Sequence, residues 1–192
     1  MPASKTRQRC PWPGDDALYQ HYHDKEWGVP VRSDKKLFEF IILEGVQAGL
    51  SWITVLRKRE NYRAAFDNFD WEKIARYDDK KVEALLQNPG IVRNRLKVKA
   101  AVTNAKAFIK VRAEFGTFSK YIWNFVDHQP VQNRRKTMKE IPPVTELAEK
   151  ISKDLKKRGF TFVGPTIIYA HMQATGMVND HLTTCFRHKE LL

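Results

Sequence analysis

The sequence predicts an all-α fold, and three observations lead to this prediction. Apolar residues recur at helical spacing, no convincing run of alternating strand residues is present, and proline and glycine cluster in short stretches between the helical patterns. The chain has 192 residues, of which 42% are hydrophobic, which is enough for one compact core. We therefore expect residues 1–192 to form a single domain, with two helical lobes that share this core.

Two serines mark the start of the most apolar helices. Ser33 and Ser51 are residue types that often cap helix N-termini, and each precedes an apolar segment. The stretch from Leu37 to Leu43 is apolar nearly all round, which predicts a helix in the centre of the domain. Glu44 follows this stretch and is expected to end it.

Basic residues outnumber acidic ones by 34 to 22, a net charge of +12, so the surface should attract polyanions, nucleic acid first among them. The stretch from Arg93 to Arg112 contains seven basic residues, counting both ends, and no acidic one. An apolar stripe of helical period runs through it, formed by Val98, Val102, Ala105 and Ile109. A second basic set comprises Lys150, Lys153, Lys156, Lys157 and Arg158. Each stretch is predicted to bind phosphates, with an ordinary solvated helix face as the alternative.

The connections between helices are predicted to be short. Proline and glycine punctuate the chain at residues 11–14, 89–90, 142–143 and 159–165, and no long linker or internal repeat is present. Residues 131–145 are the expected mobile loop. No stretch approaches the roughly 18 apolar residues of a membrane helix, and the first ten residues lack the apolar run of a secretory signal. We expect a cytoplasmic protein without a membrane partner.

The region 151–176 is predicted to form a helical hairpin. A first helix would end near Gly159, and Pro165 is well placed as the first residue of the second helix. Backbone amides around Val163, Gly164 and Thr166 would then point outward at a helix N-terminus, where they suit a DNA phosphate. An ordinary turn between helices is the alternative.

Only two cysteines occur, and each has a histidine near it in sequence. Cys10 precedes His23, while His181 lies four residues before Cys185. Two thiolates and two imidazole nitrogens complete a tetrahedral Zn²⁺ site with no open position, which implies a structural role that ties the two ends of the chain together. A disulfide and a pair of unrelated buried cysteines are the alternatives.

Aromatic residues are concentrated near the N-terminus. They are Trp12, Tyr19, Tyr22 and Trp27, with Trp52 farther along. Such rings can hold a flat base, each stacked base contributing about 1–3 kcal/mol, although an ordinary aromatic core has the same composition.

Glu44 is the candidate polar residue of this group. A carboxylate in a buried helix needs a hydrogen-bond partner, or its pKa rises. The amino hydrogens of a bound adenine are one such partner, and a salt bridge to lysine or arginine is the other.

These motifs together resemble the 3-methyladenine DNA glycosylase I family of the helix-hairpin-helix glycosylase superfamily. The resemblance spans nearly the whole chain and includes YHDKEWGVP (residues 22–30), LEGVQAGLSWITVLRKRENY (43–62), KKRGFTFVGPT (156–166) and GMVNDH (176–181). Strings of this length are specific. The resemblance implies a DNA repair hydrolase that removes 3-methyladenine from alkylated double-stranded DNA, releases the free base and leaves an abasic site.

The resemblance also implies roles for particular residues. Glu44 and Tyr22 would hydrogen-bond the extruded base, and Trp52 would stack on it. The remaining aromatic wall would comprise Trp12, Tyr19 and Trp27, and the zinc ligands would be Cys10, His23, His181 and Cys185. Gly49 and Leu50 would press into the duplex where the base has left, and this would offset the loss of stacking.

One position departs from the wider superfamily. Many of its members carry an essential aspartate after valine, whereas here Val178 is followed by Asn179 and only then by Asp180. No lysine nucleophile lies within the aromatic and Glu44 group, so we expect a monofunctional glycosylase that leaves the strand intact. A monomer is the simplest expectation for a protein that scans a duplex. The rivals are a DNA-binding protein without activity and a bifunctional glycosylase and lyase.

Overall fold

The computed structural model describes residues 7–192, and these are mostly helical. Residues 1–6, part of the segment searched for a secretory signal, lie outside the described residues. The α-helices of the described chain are α1 Ala17–Lys25, α2 Asp34–Gln47, α3 Trp52–Arg57, α4 Arg59–Ala65, α5 Trp71–Ile74, α6 Asp79–Leu86, α7 Arg95–Phe115, α8 Phe118–Trp123, α9 Glu146–Lys157, α10 Pro165–Ala174 and α11 Phe186–Glu190. Short 3-10 helices lie at Asp67–Phe69, Asn124–Val126 and Met138–Glu140.

The described chain is mostly helical, as predicted, and it also contains one pair of short strands that the sequence did not predict. Strands β1 Val131–Gln132 and β2 Val178–Asn179 run parallel, with Val131 opposite Val178. Strands of two residues are too short to produce an alternating pattern in the sequence. Their pairing fixes the start of the 131–145 segment against the C-terminal part of the chain.

Helix α2 forms the centre of the core. Every residue from Leu37 to Leu43 is buried, and the helix packs against α3, α7, α8 and α10. The expectation that Glu44 ends the apolar run is wrong, since Gly45 and Val46 are also buried and the helix continues to Gln47. A central helix is covered on all sides, which explains why its apolar surface is nearly continuous.

The two serines stand at the N-cap positions of α2 and α3, as predicted, but neither side chain makes the capping hydrogen bond. The Ser51 hydroxyl instead bonds the Thr54 hydroxyl at 2.7 Å. The residue type therefore predicted the helix starts correctly and the capping interaction wrongly.

Helix α7 has the predicted apolar stripe. Val98, Val102 and Ala105 are buried, and Ile109 is partly buried. Fewer of its basic side chains are free to bind phosphates than expected. Arg112 pairs with Asp34 at 2.7 Å, and Arg95 pairs with Glu83. Lys97 donates hydrogen bonds to backbone carbonyl oxygens at the end of α2.

Helices α9 and α10 pack against each other as a hairpin. Four lysines of the second basic set, Lys150, Lys153, Lys156 and Lys157, are exposed on or at the end of α9. Arg158 is instead paired with Asp154 and Glu114, each at 2.7 Å. Within residues 7–192, no helix is long and apolar enough to cross a membrane.

Candidate functional site

A cavity of about 240 Å³ opens between α1, α2, α3 and α10. The structure brings together around it all the residues predicted to contact a base, namely Trp12, Tyr19, Tyr22, Trp27, Glu44 and Trp52. Further lining residues that the sequence reasoning missed are Gln47, Met138, Ile141, Ala170, Gln173 and Ala174. These come from segments distant in sequence, and no local pattern distinguishes them from core or loop residues.

The aromatic wall is held by contacts among its own rings. Trp12 packs edge-on against Tyr19, with ring centroids 4.7 Å apart, and against Trp27 at 5.2 Å. Trp52 lies almost parallel to Phe40, with centroids 6.4 Å apart and an interplanar angle of 17°. Such packing restrains the rings, so the wall is largely preformed for a flat ligand.

Glu44 is 2% exposed, and its neighbour within the protein is a histidine, not the lysine or arginine of the alternative interpretation. His171 Nδ1 lies 3.3 Å from Glu44 Oε2. Burial raises the pKa of Glu44, and His171 opposes this rise. The carboxyl group therefore lies in the wall of the cavity with one neighbour that can stabilise its charge.

Tyr22 lies on α1 and is 2% exposed. Burial, together with the nearby Glu44 carboxylate, raises its pKa well above the usual value. The phenol therefore stays protonated and can donate a hydrogen bond.

The four predicted metal ligands meet in a buried cluster. Their ligand atoms all lie within 4.8 Å of one another. Cys185 Sγ is 3.5 Å from His23 Nε2 and 3.6 Å from His181 Nδ1, while Cys10 Sγ is 3.7 Å from His181 Nδ1. Both cysteines are free, so they do not form the disulfide that was the alternative.

The ring nitrogens that face away from this cluster are also bonded. His23 Nδ1 lies 2.8 Å from Asp24 Oδ1, and His181 Nε2 lies 3.0 Å from the carbonyl oxygen of Trp27. Such contacts orient imidazoles in metal sites and fix which nitrogen is free to ligate. The donor set and its surroundings therefore fit a tetrahedral metal ion.

The residues predicted to contact DNA lie in two turns. Gly49, with φ +78°, and Leu50, 38% exposed, lie between α2 and α3. Gly164 is the N-cap of α10, Thr166 is exposed in its first turn, and the Val163 side chain is buried. The amides of these three residues have no hydrogen-bond acceptor within residues 7–192.

Asp180 is engaged in a structural network. It is 1% exposed and accepts hydrogen bonds from Tyr169, from Gln173 at 2.8 Å and from Asn133 at 2.7 Å. It does not line the cavity. Its carboxylate therefore joins α10 to the 131–145 segment.

Comparison with known proteins gives consistent matches. Residues 12–188 match the methyladenine glycosylase family. The chain is 52% identical to DNA-3-methyladenine glycosylase 1 of Escherichia coli over 93% of this chain and 95% of that protein. A crystal structure of 3-methyladenine DNA glycosylase I superposes with a TM-score of 0.91 at 52% identity, covering 93% of this chain and 98% of the other. The Staphylococcus aureus enzyme, solved to explain 3-methyladenine recognition, gives a TM-score of 0.90 at 36% identity and covers 93% and 95% of the two chains.

Proposed function

The chain belongs to the methyladenine glycosylase family, and from this premise we infer how its cavity works. Its function is the hydrolytic removal of 3-methyladenine from alkylated DNA in base-excision repair. The aromatic cavity, with the buried Glu44 in its wall, is the observation that links this function to particular residues. Its volume of about 240 Å³ is below the roughly 300–1,000 Å³ of drug-sized pockets and suits a single base.

We propose that Glu44 accepts hydrogen bonds from the base and that Tyr22 donates one, while Trp52 stacks on it within the wall formed by Trp12, Tyr19 and Trp27. N3-methylation gives the nucleotide base a positive charge. When its bond to C1′ breaks, the base leaves with the electron pair and becomes neutral, and water adds to the sugar cation and loses a proton. Contacts that strengthen during this step accelerate it, by tenfold for each ~1.4 kcal/mol.

We propose that the DNA lies against the two turns and the exposed lysines of α9. The free amides of Val163, Gly164 and Thr166 would bind a phosphate, and Gly49 and Leu50 would fill the gap left by the base. We propose accordingly that the chain is a helix-hairpin-helix glycosylase and that it acts as a monomer.

We also propose that Cys10, His23, His181 and Cys185 bind a structural Zn²⁺. The ion would supply no chemistry to the reaction, because four protein ligands leave no open position. It would join the two ends of the single domain.

The test is to incubate the protein with methylated duplex DNA and to identify the released bases by chromatography and mass. Free 3-methyladenine with an intact strand is expected, and E44Q should lower release more than DNA affinity. The matched control is E60Q, which changes an exposed glutamate on α4. Equal release by the wild type and E44Q would refute the role of Glu44.

The same reaction separates the rivals. No lysine lines the cavity in the described part of the chain, so borohydride should trap no covalent complex with DNA. DNA binding without any released base would favour a binding protein.

A further inference from the structure

We propose that His171 is a positioning residue of the cavity, which donates from Nδ1 to Glu44 Oε2 and thereby presents the other carboxylate oxygen, Oε1, to the amino group of the base. This inference deepens the proposed function and rests on it.

The supporting observation is that His171 and the Oε2 atom of Glu44 are buried side by side. His171 is 1% exposed, and neither of its ring nitrogens has a hydrogen-bond partner within residues 7–192. Glu44 Oε2 is likewise buried without one, apart from the 3.3 Å contact with His171 Nδ1. Because an unpaired buried polar group is costly, this 3.3 Å contact is the interaction through which the two groups can satisfy each other.

In the part of the chain that the structure describes, the contact with His171 is the one salt-bridge-type contact of the carboxylate. Within residues 7–192, no lysine or arginine nitrogen lies within 4.0 Å of Glu44. The titratable groups that face it are His171 from α10 and Tyr22 from α1, while Lys97 of α7 is bonded to the carbonyl oxygens of Val46 and Ala48. Helix α3 contributes the Trp52 ring to the same wall. Removing His171 therefore leaves the carboxylate without its one stabilising neighbour.

The consequence concerns the charge of Glu44. A neutral imidazole with its proton on Nδ1 donates to the carboxylate and favours the ionised form. An ionised carboxylate accepts the amino hydrogens of adenine better than a protonated one. Without His171, the effect of burial is unopposed and shifts the carboxyl group towards its protonated form.

The experiment compares H171L, which removes the donor, with H171N, whose amide nitrogen can take the place of Nδ1. The pKa of Glu44 is followed by carboxyl ¹³C NMR, its signal being identified by its absence from E44Q. H171L should raise the midpoint of the Glu44 titration by about one pH unit or more. H171N should bring this midpoint most of the way back to that of the wild type. At pH 7, H171L should weaken binding of free 3-methyladenine about tenfold, but not in the E44Q background.

Thermal unfolding checks that each variant is folded. If H171L does not fold, H171Q replaces it, because its longer amide does not match the Nδ1 position. Equal Glu44 midpoints in the wild type and the folded variant would overturn the proposal, as would an equal loss of base binding in the E44Q background. Failure of the wild type to release 3-methyladenine would instead refute the proposed function, and the NMR titration would still decide the role of His171.

Discussion

Removing a ligand of the proposed structural Zn²⁺ site should destabilise the whole fold. The change is Cys185→Ser, which deletes one of four ligands of a site that joins the two ends of the chain. The link between Cys10 and Cys185 spans 175 residues. By the chain-entropy relation for a cross-link, closing a loop of this length contributes at most about 5 kcal/mol. For a domain of this size that ceiling corresponds to a fall in Tm of roughly 10–20 °C.

The assay measures zinc content by mass spectrometry and the free energy of unfolding in urea, with and without a chelator. The wild type should contain zinc and lose stability in chelator until it approaches C185S, which the chelator should hardly change. The control is Leu182→Ala, a buried residue of the same cluster that is not a ligand. It should lose packing energy but remain sensitive to chelator. The reasoning would be refuted if the wild type contained no zinc and its free energy of unfolding were the same with and without the chelator.

Four further predictions follow from the same structure. Trp52→Ala should lower base affinity by about 1–3 kcal/mol, measured by calorimetry with free 3-methyladenine. Gly176→Ala should lower Tm, because Gly176 has φ +68° and an added Cβ would lie 2.5 Å from the backbone of Pro30. Lys157→Gln should reduce the salt dependence of DNA binding by about 0.9 in slope if it contacts one phosphate. Because the pKa of Glu44 is raised in the folded state, its contribution to stability is present at low pH and is lost as pH rises through that pKa, and E44Q should lack this change in urea unfolding.

Much of the site could be predicted because its residues lie in short, unusual strings. The concentration of indole and phenol rings near the N-terminus indicated a stacking surface, and the structure does place these rings around one cavity. The cysteine and histidine spacing likewise indicated a cluster, and the four side chains do meet. In both cases the residue types are rare enough that their clustering carries information.

Other features could not be predicted from local patterns. His171 lies on an apolar helix, and nothing in its neighbourhood in sequence pairs it with Glu44, 127 residues away. The short parallel strands depend on a contact between Val131 and Val178. The pairing of Arg112 and Arg158 with acidic residues likewise removes one free cation from each of the two basic stretches.

The sequence by itself determined the helical class, the buried central helix and the chemical groups available for a site, because these follow from the period and type of neighbouring residues. Only the tertiary structure decided which groups face one another. Partners far apart in sequence are chosen by packing, so the neighbour of Glu44, and with it the charge that the cavity offers to a base, appears only once α2 and α10 are in contact.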